Sequence, residues 1–322
     1  MVAAEGTLAG ARVLVTGGCG FIGSHLVRRL LAEGAAEVAV VDSLRYGRPD
    51  VLSGTGARVR FVRHDLGVDP PGDLRPFLEG ASAVFHLAAE KHHTQRTAGD
   101  LLRTNVAGTS GLFEAARAAG VGKVVFASSV FAYGRMVGPP LREDEPARPA
   151  TAYGMSKLLG ERLLAHFARP QGPAHVALRY FFVYGPRQHL GLGYKSIVVK
   201  TYQRLLRGEG PTVYGDGKQA LDYVYVDDAV EAALLALRAG RTGAVYNVGS
   251  GTATTIDDMV ERMMRVAGRV LPKEYLPPDE TAGSCRVADL ARTGAELGWR
   301  PRVALDEGLS RTWRWMRESA AA

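Results

Sequence analysis

The chain has 322 residues, 46% of them hydrophobic and 23% charged, and a net charge of +7. That is ordinary globular composition, with chain enough for one large α/β domain and a smaller lobe, or for two domains. Arginines are scattered rather than run together and no aromatic RNA-binding signature accompanies them, so no nucleic-acid partner is expected, while the positive balance suits an anionic small substrate. Two cysteines, Cys19 and Cys285, are too few for a disulfide scaffold, and the adjacent His92 and His93 lack metal spacing; no metal is expected. The first ten residues carry no basic region or apolar core, and no apolar run approaches the ~20 residues of a membrane span. The expectation is a cytoplasmic protein.

In chain order, Arg12 to Thr16 reads as a short buried strand, and Phe21 to Gly34 carries helical apolar spacing ending on a glycine stop. Further strands are expected at Glu37 to Asp42, Arg58 to Asp65, Ala83 to Ala88 and Lys123 to Ser128, with helices at Thr97 to Ala119 and Tyr153 to Ala168. Apolar strands alternating with helices imply a doubly wound parallel sheet of the Rossmann type. After about Val176 the rhythm changes. Asp222 to Val226 reads as a strand feeding a helix near Asp227, Thr255 and Asp258 as a helix-capping pair, and Leu276 to Gly283 as a mobile loop. The division this suggests is a cofactor-binding domain over 1–175 and a mainly substrate-binding lobe over 176–322, with about 222–250 returning to the sheet.

Between the first strand and the first helix stands Thr16-Gly17-Gly18-Cys19-Gly20-Phe21-Ile22-Gly23. Gly17, Gly20 and Gly23 serve a tight turn, a close approach to pyrophosphate and close helix–strand packing, and the helix N-terminus offers free N–H groups to the phosphates. Asp42 ends the second strand, where an acid hydrogen-bonds ribose hydroxyls and repels a 2′-phosphate; NAD is favoured over NADP, although Arg45 nearby is able to take a phosphate. Tyr153 and Lys157 are four apart, on one face of a helix, where the amine favours the phenolate and lowers the phenol pKa from ~10. Tyr153 is then a candidate general base. Ser129, at the carboxyl end of a strand, is placed to bond the reacting oxygen.

With these residues the chain resembles the extended short-chain dehydrogenase/reductases, the sugar-nucleotide epimerase/dehydratase family. The resemblance runs nearly the whole length: TGGCGFIG, Asp42, Asp65-Leu66, HLAA at 86–89, Asn105, SSVFAYG at 128–134, Tyr153 and Lys157, RYFFVYGPRQ at 179–188, DYVYVDD at 222–228, NVGSG at 247–251, and Leu297-Gly298-Trp299. It implies that Asp65 and Leu66 hold adenine, that Leu87, Ala88, Ala89, Asn105, Phe21, Ile22 and Phe181 line the cofactor, and that the protein is a homodimer joined through a four-helix bundle. Val130 and Phe131 replace the acid pair of the 4,6-dehydratases and the glutamate of many decarboxylases, and Lys91 matches a cofactor-touching lysine of the UDP-galactose 4-epimerases. The implied reaction is NAD-dependent 4-epimerisation of a UDP- or dTDP-linked sugar: Tyr153 takes the C4 hydroxyl proton, hydride passes to NAD, and the 4-keto sugar turns over before hydride returns.

Phe182 stands where the family often has Asn, Leu221 where it often has Arg, and no phosphate arginine stands near Asp279. Each charge-assisted phosphate bond so lost costs ~1.5–3 kcal/mol. Arg187, Lys195 and Arg286 are the candidates to compensate. Otherwise the substrate is not an ordinary nucleotide sugar. The alternatives are decarboxylation, elimination or net oxidation through the same 4-keto sugar, a polyol dehydrogenase, or a dinucleotide sensor without catalysis.

Overall fold

The computed structural model describes residues 8–91, 97–134, 140–169, 171–191, 195–278 and 282–321. Seven strands form its main sheet: β1 (Arg12–Thr16), β2 (Glu37–Asp42), β3 (Val59–Arg63), β4 (Ala83–His86), β5 (Lys123–Ser129), β6 (Ala174–Tyr180) and β7 (Ala244–Val248). They lie in the order β3-β2-β1-β4-β5-β6-β7, every pair parallel. Successive side chains of a strand face opposite ways. Val13 and Val15 of β1 therefore enter one core with Val38, Val40 and Phe85, while Leu14 enters the other with Ala39, Val41 and Val84. Burial on both faces is what the near-continuous apolar strands required.

Helix α1 (Phe21–Ala32) covers the first core, and α2 (Thr109–Ala118) and α3 (Ala152–Phe167) cover the second. The single helix expected from Thr97 to Ala119 is interrupted. An α-turn at Ala98–Leu102 passes into a π-helical segment, Arg103–Gly108, before α2 begins. The packing accounts for the wider turn: a Cβ on Gly108 would lie 2.5 Å from the Leu66 carbonyl oxygen, so the helix runs directly on that backbone. Segments of this kind often accompany functional sites.

Beyond β6, Phe182–Tyr184 pairs in parallel with Tyr223–Tyr225 in a separate two-stranded sheet. Of the stretch expected to return to the main sheet, only β7 does so. Helices α4 (Ile197–Leu206), α6 (Ile256–Val266) and α7 (Leu305–Ala321) build a second lobe with a core of its own around Tyr184, Tyr202, Met259 and Met316, whereas α5 (Val226–Ala239) joins α1 on the first core through Ala229, Val230, Ala233 and Leu234. The Thr255 hydroxyl caps α6, accepting from the Asp258 N–H at 3.1 Å. Residues 279–281 of the anticipated loop, and His92 and His93, lie outside the described residues. Among those described, no helix is long and apolar enough to cross a membrane, and no His, Cys, Asp and Glu group has metal-binding form.

Strand order reverses between β1 and β4. Open α/β sheets bind ligands at such a point, outside the carboxyl ends of the strands. That geometry places the site.

Candidate active site

A cleft of about 460 Å³ opens at the reversal, running from the ends of β2 and β3 past the glycine loop to β5, α3 and the second lobe. The loop lies flat on the sheet because its glycines have no room for side chains. Gly17 adopts φ 70°, and a Cβ there would lie 2.8 Å from the Ala88 amide; one on Gly23 would lie 2.1 Å from the Gly17 carbonyl oxygen. Gly20 caps α1 without any side-chain hydrogen bond, and the first turn holds no acid. Uncapped N–H groups beside a backbone cradle fit the pyrophosphate of a dinucleotide. Behind the cradle, a buried chain joins Thr16 Oγ1 to His86 Nδ1 at 2.7 Å and His86 Nε2 to Thr109 Oγ1 at 2.8 Å. Burial drives the His86 pKa down to about 3, so the imidazole stays neutral.

Asp42 reaches the cleft from the end of β2. Its carboxylate accepts from the amides of Cys19 at 2.9 Å and Leu44 at 2.8 Å, while burial raises its pKa. Arg45 is not held out for a phosphate: its guanidinium bonds Asp65 at 2.6 Å and also bonds Glu90. With Arg45 held between Asp65 and Glu90, and Asp42 at the end of β2, this end of the cleft opposes a 2′-phosphate and accommodates ribose hydroxyls. Asp65 also accepts from the Gly67 amide at 3.0 Å. Leu66, Leu87, Ala88, Ala89 and Phe181 line the cleft, as do Phe21 and Ile22. Asn105 does not. Buried in the π-segment, it grips the Glu90 backbone through both amide atoms, at 2.6 and 2.8 Å, and donates to the Ser156 hydroxyl at 3.0 Å. It fixes the wall rather than forming it.

At the other end, Thr151 caps α3, accepting from the Gly154 amide at 3.0 Å, and Tyr153 and Lys157 follow on one face. The ammonium groups of Lys157 and Lys91 each lie 5.8 Å from the centre of the Tyr153 ring. Cations so placed stabilise negative charge developing on the phenol oxygen. Lys157 is held by the Ala127 carbonyl at 2.7 Å; burial, then the neighbouring Lys91, lower its pKa to about 7. Lys91 also lines the cleft, and desolvation lowers its pKa to about 8. Ser129 ends β5 in the same wall, its hydroxyl accepting from the Phe131 amide at 3.3 Å.

The second lobe supplies a largely aromatic wall. Phe182 meets Phe131 edge-on at 6.2 Å and Tyr223 at a tilt at 5.9 Å, and Leu221 lies beside them. Lys195 lines the cleft and donates to Gln203 at 3.1 Å. Two expected substrate contacts fall elsewhere. Arg187 takes φ 64° directly after Pro186, and the reversal carries its side chain to Arg28, Asp227 and Tyr225, outside the cleft wall. Arg286, paired in register with Leu221, sets its guanidinium 5.0 Å over the Phe131 ring, and that ring meets Tyr153 edge-on at 5.8 Å. Arg286 therefore stands behind the wall and backs the ring that backs the tyrosine. Glu90, Tyr46 and Lys200 line the cleft without having been singled out. For Glu90 a signal existed, since it separates Ala89 from Lys91 as the one acid in that run.

A glycine cradle at the switch point of a parallel sheet, with a tyrosine and a lysine one helical turn apart facing it, defines a dinucleotide-dependent enzyme of the Rossmann type. The chain belongs to the NAD dependent epimerase/dehydratase family, whose model matches residues 13–249. It is 37% identical over 320 residues to a UDP-glucose 4-epimerase of Mycolicibacterium smegmatis, covering 96% of this chain and 99% of that one. It is 36% identical over 313 residues to a dTDP-glucose 4,6-dehydratase of Streptomyces griseus, covering 94% and 93%. A crystal structure of the Thermotoga maritima UDP-glucose 4-epimerase with UDP-glucose superposes with a TM-score of 0.88 at 35% identity, covering 96% of this chain and 99% of that one.

Proposed function

We propose that the chain is a nucleotide-sugar 4-epimerase acting on a UDP- or dTDP-linked sugar. One observation carries the choice of reaction. Among the described residues, the carboxylates lining the cleft are Asp42, Asp65 and Glu90, all at the β2–β4 end, and none stands beside Ser129 and Tyr153. Val130 is buried and Phe131 presents a ring where an elimination needs a proton donor and acceptor. Around the reacting position the described residues place the Tyr153 phenol, the Ser129 hydroxyl and the Lys157 and Lys91 ammonium groups, a set that moves one proton on one oxygen. Tyr153 takes the proton from the sugar hydroxyl and later returns it. Lys157 and Lys91 stabilise the phenolate, and Ser129 bonds the reacting oxygen. NAD, when bound along Gly17, Gly20, Gly23 and Asp42, supplies the site's capacity to accept and return hydride.

Among the described residues, Lys195 and Lys200 rather than arginines are the cations that line the substrate half of the cleft, and they are the groups we assign to the diphosphate. We read residues 1–175 as cofactor-binding and 176–322 as mainly substrate-facing, and place the protein in the cytoplasm as a homodimer. The test is incubation with UDP-glucose, UDP-N-acetylglucosamine and UDP-glucuronate, each with NAD, read by mass spectrometry and NMR. A C4 epimer of unchanged mass without net NADH is the expected product. Loss of water or carbon dioxide, or accumulation of NADH, overturns the assignment.

A further inference from the structure

We propose that Arg45, Tyr46 and Glu90 form a clasp over the cofactor groove that gates the entry and exit of NAD. The inference rests on the reading of the cleft as an NAD site. Arg45 and Tyr46 follow β2, and Glu90 follows β4; the strand between them is β1, whose end carries the glycine loop. A bond from one flank to the other therefore passes above that loop. The Glu90 carboxylate makes two such bonds, one from the Arg45 guanidinium and one from the Tyr46 hydroxyl, and Arg45 extends the tie to Asp65 after β3 at 2.6 Å.

Each end is anchored differently. The Glu90 backbone is gripped by Asn105, and its side chain is 1% exposed. The arm bearing Arg45 and Tyr46 starts from Leu44 at φ 59°, a left-handed conformation that a branched side chain rarely adopts, held there by the Asp42 carboxylate. It ends where the Arg48 amide donates to the Cys19 carbonyl of the glycine loop at 3.1 Å. An arm strained at its root and tied along its length by charge is a device with a closed state to leave. The second lobe also touches it, for the His189 ring meets the Tyr46 ring edge-on at 5.9 Å. Residues of the substrate half thereby bear on the cofactor gate, and an enzyme that must return the same hydride benefits from holding its cofactor until the sugar leaves.

A gate slows entry and exit alike, whereas a residue that only contacts the ligand slows exit. Stopped-flow fluorescence of NADH binding to the cofactor-stripped full-length protein separates the two. Glu90→Gln removes the charge from the Arg45 bond, and both association and dissociation rate constants are expected to rise about tenfold, the factor one charge-assisted bond carries. Tyr46→Phe, which deletes a single hydroxyl, is expected to move both constants in the same direction by less. If Glu90→Gln fails to melt cooperatively, Tyr46→Phe alone decides. A rise confined to dissociation, or no change in either constant, overturns the clasp. The wild-type product assay is independent: failure to epimerise any nucleotide sugar removes the proposed reaction and leaves the binding kinetics to stand or fall alone.

Discussion

Replacing Tyr153 by Phe keeps the ring and its contact with Phe131 but removes the hydroxyl that moves the proton. Turnover is expected to fall about 10²–10⁴-fold, the contribution of a positioned acid–base group, with NADH binding retained. Product NMR and fluorescence titration check the two halves of that statement, and surviving turnover would displace Tyr153 from its role. Buried Lys157 gives a pH signature. Held near 7, it binds protons less readily in the folded chain than in the unfolded one, where a lysine titrates at ~10.4. Between about pH 7 and 10 the unfolded state carries more protons, so stability of the cofactor-free protein climbs with pH over that window. Tm measured across it is expected to rise, and Lys157→Met to flatten the rise. His86 acts on the acid side: with its pKa near 3 against an ordinary ~6.5, it withdraws stability as the pH falls through that interval.

At the scale of the element, the glycine loop and the sheet beneath it were legible because their chemistry is local. Three glycines at fixed spacing after an apolar strand, and a Tyr and a Lys one turn apart, are properties of consecutive residues. The π-segment was not legible, because what widens that turn is the Leu66 carbonyl pressed against Gly108, a contact across 42 positions. Asn105, Arg187 and Arg286 were misplaced for the same reason: their residue types suit a ligand contact, and only packing reveals which way each one faces. Arg179, within a motif of the family, turns out to be structural. It forms a buried bidentate pair with Glu161 at 3.0 and 2.8 Å and stacks 4.4 Å from the Tyr133 ring. Arg179→Met leaves the Glu161 carboxylate buried and uncompensated, and is expected to cost about 3–5 kcal/mol in chemical denaturation. Gly23→Ala tests the cradle. Its Cβ meets backbone that has nowhere to go, so a loss of about 1–3 kcal/mol or more is expected together with loss of NADH binding; normal binding would mean the loop is not the phosphate site.

For the whole molecule, Met155 and Leu159 lie one turn apart on α3, 43% and 37% exposed, and Leu102 is 37% exposed on the helix packed beside it. This apolar face is where the homodimer we propose would close. Met155→Glu is expected to yield monomers in analytical ultracentrifugation, and an unchanged sedimentation coefficient would move the interface elsewhere. Helix α7 closes the second lobe. The Trp299 indole donates to the Asp228 carbonyl at 3.0 Å, and the Tyr184 and Tyr202 hydroxyls donate to carbonyls of α7 at 3.1 and 3.0 Å. Leu309 and Met316 complete its core. Synthesis runs the other way, from the cofactor half onward, and domains fold as they emerge. Until α7 has emerged, the nascent protein therefore has its β1–β6 layer assembled and the Tyr184–Tyr202 core uncovered. That interval is when a ribosome-associated chaperone has most to shield, and a stop codon placed before Leu305 would make the interval permanent.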